Sequence, residues 1–322
     1  GRSWKSSLEG LDKPRIVAIG GPTASGKTAL SVKLASEFQG EIISADSMQI
    51  YRGLDVGTAK VTPDETQGVP HHLVDIVGPE QSFSVADYVQ AARACAEQIT
   101  QRGHLPFVVG GTGLYLSSLL NGVQFTPHKP TTEVRAALEQ ELAEKGREAL
   151  YEKLCRLDPE GAACIHPNNI PRLLRALELY RTTGRTMSQQ KAESRPQTPP
   201  YRALLLILND PDREALYRRI DSRVDRMVQQ GLLEEARRVW QNRECWHTAA
   251  QAIGYKELFP YFEGEAELEP CLNDLKQASR RYAKRQLTWF RRMEGAHWLD
   301  GSDPETPAKA RQLVERFLNG EL

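Results

Sequence analysis

Lys27 and Thr28 close the stretch Gly21-Pro22-Thr23-Ala24-Ser25-Gly26-Lys27-Thr28, whose spacing fits the phosphate-loop pattern G-x-x-x-x-G-K-[ST]. Its glycines let successive backbone N–H groups converge on an anion. Lys27 adds a point charge, and the Thr28 hydroxyl offers an oxygen ligand to Mg²⁺. By motif alone the cargo is the triphosphate of ATP. A second chemical group is Asp46, a carboxylate just past the apolar run Glu41–Ala45. Beside a phosphate loop such a residue can organise a metal ion or act as base toward an acceptor nucleophile. On that logic the chain is a group transferase with Asp46 facing the acceptor.

Two basic stretches speak about the acceptor. Ser279 to Arg292 carries Arg280, Arg281, Lys284, Arg285, Arg291 and Arg292 with Tyr282, Trp289 and Phe290 interleaved, and no acid. Basic groups for a phosphate backbone and aromatics for bases or core form an RNA-binding footprint. The competing reading is a packing helix whose arginines see only water. Arg219 and Arg223, four apart, share one face of a helix. Either could clamp a diphosphate opposite the loop, or pair with Asp221 and Asp225 on the surface.

These groups need elements to position them. Arg15–Gly20 is a β-branched run entering the glycine-rich turn, and Ala29–Phe38 continues with helical period. Glu41–Ala45 and Leu105–Val109 are further strand candidates, with a helix between Ser84 and Arg102. Strands alternating with helices predict a parallel α/β sheet, a P-loop NTPase-like core flanked by helices. A second strand-to-glycine turn, Val108 to Gly113, falls on the same sheet edge, where ligands bind in such folds. From 126 to 200 the chain turns charged and Ala/Leu-rich, with helices expected over Thr131–Arg147, Gly146–Leu157 and Ile170–Thr183. That reads as a small all-helical insertion domain between core segments 13–125 and 201–322. Ala203–Leu208 returns as a buried strand, followed by helices over 213–230, 232–242 and 268–293, a short strand at His297–Leu299 and a last helix. Residues 1–12 are polar and read as a flexible leader.

The bulk properties narrow the class. Lys plus Arg and Asp plus Glu number 42 each, so only local distribution can speak for a nucleic-acid partner. The 5 cysteines are scattered with no C-x-x-C pair, which favours reduced thiols in a cytoplasm over a disulfide frame or a zinc site. No apolar run approaches the roughly 18 residues of a membrane span. A monomeric, cytoplasmic protein with no membrane association is the expectation.

Several stretches in order resemble the tRNA dimethylallyltransferases, the tRNA isopentenyltransferase family: GPTASGKT (21–28), SADSMQIYRGLDVGTAK (44–60), GVPHHLVDIVGPEQSFSVADY (68–88), VVGGTGLYL (108–116), NNIPRLLRALELYRTTGR (168–185), RIDSRVDRMVQQGLLEE (219–235), QAIGYKEL (251–258) and RRYAKRQLTWFRR (280–292). The resemblance implies transfer of a dimethylallyl group from dimethylallyl diphosphate to N6 of adenosine 37 in the tRNA anticodon stem-loop, with Mg²⁺ and without ATP. It implies Asp46 as general base, and Thr23, Lys27, Thr28 and Arg223 on the departing diphosphate, with Arg219 a second candidate clamp. It further implies tRNA contacts at Ser47, Met48, Gln49 and Thr112, and in the insertion at Arg135, Pro171, Arg172, Leu173, Leu174 and Arg175. Gln251, Ala252, Ile253, Gly254, Tyr255 and Lys256 are implied next, then Ser279, Arg280, Arg281, Tyr282, Ala283, Lys284, Arg285 and Gln286. Ser279 stands where the family usually has Thr, and the hydroxyl survives. Eukaryotic relatives carry a C-terminal C2H2 finger that is not seen here, so no zinc role is expected. A small-metabolite P-loop kinase would keep the loop and Asp46 but leave the basic helix and insertion unexplained. An RNA-binding NTPase module would explain the helix but give Asp46 no task.

Overall fold

The computed structural model describes residues 13–123, 132–194 and 198–322. The predicted leader and the predicted entry to the insertion near 126 lie outside these residues. Six strands, Arg15–Gly20 (β1), Gly40–Ser44 (β2), His71–His72 (β3), Leu105–Gly110 (β4), Arg202–Asn209 (β5) and Ala296–Asp300 (β6), make one sheet in the order β3-β2-β4-β1-β5-β6. Every pairing is parallel. The helices that matter below are Lys27–Glu37 (α1), Val85–Gln101 (α2), Gly113–Leu120 (α3), Thr132–Leu157 (α4), Ile170–Thr183 (α5), Arg213–Gln229 (α6), Leu232–Gln241 (α7), Leu268–Phe290 (α8) and Thr306–Leu318 (α9).

A parallel sheet is apolar on both faces because helices cover both. Ile16, Ala18, Val108 and Ile207 pack against Tyr88, Ala92, Leu116 and Leu119 of α2 and α3. Val17, Ile19, Phe107 and Leu206 face Leu30 and Leu34 of α1 and Val314 and Phe317 of α9. The alternation along β1 thus sorts one strand between two cores. Helix α2 starts where its sequence predicts. The Ser84 hydroxyl accepts the Asp87 N–H at 3.1 Å, and the Asp87 carboxylate accepts the Ser84 N–H at 2.9 Å.

The chain forms two compact units, Asn121–Pro199 and the remainder. In the first, α4 and α5 bury Leu138, Leu150, Leu154, Leu173 and Leu177 between them. The two helices predicted to meet at Gly146 do break there, at φ 80° and ψ 165°. The other unit holds the sheet, and α6, α7 and α8 form a further core around Val224, Leu232, Val239 and Leu275. β3, only two residues long, has too little sequence to show a strand period. No described helix is long and apolar enough to cross a membrane.

At the start of β2 Glu41 is buried, 3% exposed. Its carboxylate takes both arms of Arg102 at 2.9 Å, His72 Nε2 at 2.8 Å and His104 Nδ1 at 2.7 Å. The Arg102 fork, helped by the two histidines, holds its pKa down at about 2 despite burial. Because the folded-state value lies below the ordinary one, the stabilisation is present above about 4.5 and fades as the pH falls toward 2. Glu41→Gln should lower the unfolding free energy by about 2 kcal/mol at pH 7. Urea titrations at a series of pH values should show that difference shrinking below about 4.5.

Candidate active site

Three strand tips converge on one cavity of about 1480 Å³. The tip of β1 supplies Thr23–Thr28, that of β2 supplies Asp46–Gln49, and that of β4 supplies Gly110 and Gly111. Arg223 and Met227 of α6, Ser279, Tyr282 and Gln286 of α8, and Gln251–Tyr255 complete the wall. This is the carboxyl edge of the sheet, where open α/β folds take ligands. One small-molecule pocket occupies roughly 300–1000 Å³, so the space admits two reactants side by side.

The phosphate loop has the backbone its glycines predict. Gly21 sits at φ 153°, where a Cβ would lie 2.5 Å from the Leu208 carbonyl oxygen, so the turn closes only with glycine. Lys27 Nζ donates to the Gly21 and Pro22 carbonyls, each at 2.8 Å. Loss of solvent and the neighbouring Arg223 bring Lys27 down to about 7, with Asp46 opposing. Arg223 is likewise lowered, first by desolvation. Two cations are thus held together in a space depleted of water, an arrangement completed by a polyanion. Among the described residues no group of three or more His, Cys, Asp or Glu is placed to hold a metal ion. A divalent cation here would therefore depend on the Thr28 hydroxyl and on a ligand's own oxygens, a donor set that suits Mg²⁺.

The two candidate clamps separate. Arg223 lines the cavity. Arg219 instead turns under the loop, its Nε donating to the Ala24 carbonyl at 3.2 Å and its Nη1 pairing with buried Asp210 at 2.7 Å. Ala24 has a left-handed φ of 61°, a conformation that costs a non-glycine residue about 1 kcal/mol or more. Arg219 braces that residue rather than facing a ligand.

Asp46 divides its two oxygens. Oδ1 accepts the Met48 N–H at 2.8 Å and the Gln49 N–H at 3.2 Å. Among the described residues Oδ2 accepts no hydrogen bond, and the residue lines the cavity. Desolvation raises its pKa, while the two amides, Lys27 and Arg223 oppose the rise. One oxygen fixes the carboxylate and the other is left for a reactant. Thr112, on the β4 turn, accepts the Ser47 N–H on its hydroxyl at 3.0 Å, so β4 supports the loop that carries Asp46.

Sequence reasoning overlooked the residues that hold the far wall. Glu235 of α7 is buried and accepts the N–H groups of Asp55, Val56 and Gly57 at 2.8–3.1 Å, with the Tyr255 hydroxyl at 2.9 Å. Buried Lys60 donates to the Tyr51 carbonyl at 2.7 Å and to Asp55 at 2.7 Å, and also pairs with Asp75. The loop so pinned receives the Gln49 side-chain amide at the Thr58 carbonyl, 3.1 Å away. A signal for Glu235 was present. It falls on the apolar stripe of α7 with Leu232, Ala236 and Val239.

The predicted tRNA contacts fall into different surroundings. Ser47, Met48, Gln49, Gln251, Ala252, Ile253 and Ser279 line the cavity, and Lys256, Arg281, Lys284 and Arg285 are exposed. Tyr255 and Gly254 line it too, but Tyr255 is fully buried against Glu235. Ala283 is core, packed with Leu216 and Ile220, and Arg280 pairs with Asp221 at 2.6 Å. In the helical unit Pro171, Arg172 and Arg175 are exposed at the start of α5. Leu173 and Leu174 are buried in its core, which removes them from any surface. Arg135 there pairs with buried Glu178 at 2.9 Å.

Known proteins match this chain along its length. The IPP transferase family matches residues 49–293 and the isopentenyl transferase family residues 14–76. A tRNA dimethylallyltransferase of Geobacillus thermodenitrificans is 49% identical over 96% of this chain and 97% of its own. The full-length tRNA isopentenylpyrophosphate transferase of Bacillus halodurans superposes with a TM-score of 0.72 at 43% identity, covering 96% of this chain and 98% of that one. A eukaryotic dimethylallyltransferase acting on tRNA gives a TM-score of 0.82 at 30% identity, over 96% and 80% of the two chains. With the phosphate loop, the Asp46 carboxylate and the cavity in place, these likenesses establish that the chain belongs to the tRNA dimethylallyltransferase, or IPP transferase, family.

Proposed function

We propose that the protein transfers a dimethylallyl group from dimethylallyl diphosphate to N6 of adenosine 37 in tRNA, releasing diphosphate. The observation that carries this reading is the pairing, within one cavity, of a carboxylate with an open oxygen and a phosphate loop backed by Lys27 and Arg223. The exocyclic amine of adenine is conjugated with its ring and is a poor nucleophile. Asp46 Oδ2 accepts a hydrogen bond from that amine and takes its proton as the N6–C1 bond forms. The C1–O bond breaks in the same step, and the electron pair leaves on diphosphate. Lys27, Arg223 and the loop line the cavity where that charge grows and would stabilise it. Mg²⁺ held against the Thr28 hydroxyl would add further neutralisation of the diphosphate. Reaching N6 requires the base to leave its stack, and the cavity's volume admits a purine beside a five-carbon chain.

The outward face of α8 suits the RNA. Lys284, Arg285, Thr288, Trp289 and Arg292 line a surface groove there, and Trp289 is 37% exposed. Pro171, Arg172 and Arg175 offer a second exposed basic stretch on the helical unit. The scattered cysteines, with no C-x-x-C pair, favour a cytoplasmic enzyme.

Incubation with unmodified tRNA, Mg²⁺ and labelled dimethylallyl diphosphate, with ATP omitted, should place label on adenosine; phosphorylated product or a strict need for ATP would sink the proposal. Asp46→Ala should lower single-turnover transfer by at least 10²-fold, within the range typical for a lost general base, while tRNA affinity stays within about twofold of the parent. The pH profile of kcat/KM should be bell-shaped. Its rising limb follows ionisation of Asp46, and its falling limb begins near 7, as Lys27 of the free enzyme loses its proton. Neutralising Arg281, Lys284 and Arg285 together should weaken tRNA binding and flatten its salt dependence by about 0.7–0.9 for each phosphate no longer neutralised. Unaltered binding across salt concentrations would remove α8 from the interface.

A further inference from the structure

Gln286 lies within the most basic run of the chain, yet it is 7% exposed and both ends of its side-chain amide are bonded to backbone. Oε1 accepts the N–H of Thr23 at 3.0 Å, and Nε2 donates to the carbonyl of Gly111 at 3.1 Å. Thr23 belongs to the phosphate loop after β1, and Gly111 belongs to the turn after β4. These two strands are direct neighbours whose ladder ends at Gly20 and Gly110. Beyond that register neither loop bonds the other as a strand would. The glutamine amide supplies what a peptide group supplies inside a sheet, one acceptor and one donor facing opposite ways. Gln and Asn are the side chains that carry an amide, and Asn is one methylene shorter.

The surroundings are built for this approach. A Cβ on Gly111 would lie 2.3 Å from Gln286 Nε2, so a larger residue there would push the glutamine amide off its partners. One helical turn earlier, Tyr282 lines the same cavity, and desolvation with Asp46 nearby pushes its hydroxyl up to about 12. Thr112 holds the Ser47 N–H at 3.0 Å, next to Asp46. The inner face of α8 therefore bonds the β1 and β4 tips through Gln286, and the β4 turn carries the β2 loop through Thr112. Arg281, Lys284 and Arg285 point away into solvent on the other side.

We infer that Gln286 is a positioning residue, not an RNA contact: it ties the phosphate loop to the β4 turn that supports Asp46, and so sets the distance between leaving group and base. The inference rests on the prenyl-transfer reading for its kinetic consequence, though its effect on diphosphate binding stands apart from it. Because the Thr23 N–H is engaged by Gln286, the anion cradle begins at Ala24. Loss of the tie leaves one buried donor and one buried acceptor without partners and lets the two loops drift.

The test uses the full chain with Gln286→Met, which keeps length but not hydrogen bonding, and Gln286→Glu, which keeps the acceptor but not the donor. Four readouts are compared with the parent: kcat and KM for dimethylallyl diphosphate at saturating tRNA, Kd for tRNA, calorimetric affinity for inorganic diphosphate with Mg²⁺, and the thermal midpoint. Gln286→Met should lower kcat by 10- to 100-fold and weaken diphosphate binding severalfold, with tRNA Kd within twofold. Gln286→Glu should be impaired at pH 8 and recover relative to the parent toward pH 5.5, where a protonated carboxyl again donates to Gly111. Gly111→Ala should reproduce the loss, and combining it with Gln286→Met should add little, as expected for two disruptions of one tie. A tenfold rise in tRNA Kd with kcat and diphosphate affinity unchanged would make Gln286 an RNA contact and overturn the inference. Parent-like values throughout would also overturn it, as would losses that follow the thermal midpoint with no recovery of Gln286→Glu at low pH. If the parent itself transfers no label, the prenyl-transfer reading fails instead, and diphosphate affinity still decides the role of Gln286.

Discussion

The Asp46 carboxylate sits in a cavity that strips water from it, and much of the surrounding structure offsets that cost. Desolvation alone would drive the carboxylate toward its neutral form. Two loop amides on Oδ1 and the positive charges of Lys27 and Arg223 work against it. The same cations are depleted of water and repel each other, which brings Lys27 to about 7. The three groups are mutually dependent: the carboxylate keeps the cations charged, and the cations keep the carboxylate ionised. A diphosphate entering the loop relieves the repulsion between the cations. In the proposed reaction the diphosphate leaves with the electron pair beside those same cations.

That balance needs the strand tips to hold their spacing, and the sheet alone does not ensure it because its ladders stop short of the loops. The ties come from outside the sheet. Arg219 and Asp210 brace Ala24 from beneath. Thr112 carries the Asp46 loop on β4. Glu235 gathers three successive amides of the 55–57 loop, a nest of N–H groups closed by a carboxylate, and that loop holds the Gln49 side chain. The C-terminal helices thus do two jobs at once, buttressing the loops with their inner faces and offering basic groups outward.

The placement of the phosphate loop and Asp46 at one sheet edge was legible in the sequence because it is local in the chain: Gly21, Lys27 and Thr28 are fixed by spacing, and Asp46 follows directly on a strand. The alternating elements gave the parallel sheet for the same reason, and Ser84 with Asp87 marked a helix start. Other features turned on direction in space. Arg219 and Arg223 share a helix face, and only Asp210, at the end of β5, decides which of them turns away from the cavity. Gln286 is indistinguishable from its basic neighbours by composition, whereas four-residue spacing from Tyr282 places both on the inner face. Leu173 and Leu174 read as part of a basic recognition stretch but are core of the helical unit. Glu235 showed as a charge on an apolar stripe, yet its partners are backbone amides, which carry no signature in sequence.

The central claim is that one carbon–nitrogen bond forms between the prenyl C1 and the adenine N6 at Asp46. Dimethylallyl diphosphate enriched in ¹³C at C1 and tRNA enriched in ¹⁵N at adenine N6, turned over by the enzyme without ATP, test it directly by NMR of the product. A one-bond ¹³C–¹⁵N coupling at adenosine 37 is the result the account predicts. Attachment at a ring nitrogen, or no carbon–nitrogen bond at all, would contradict it.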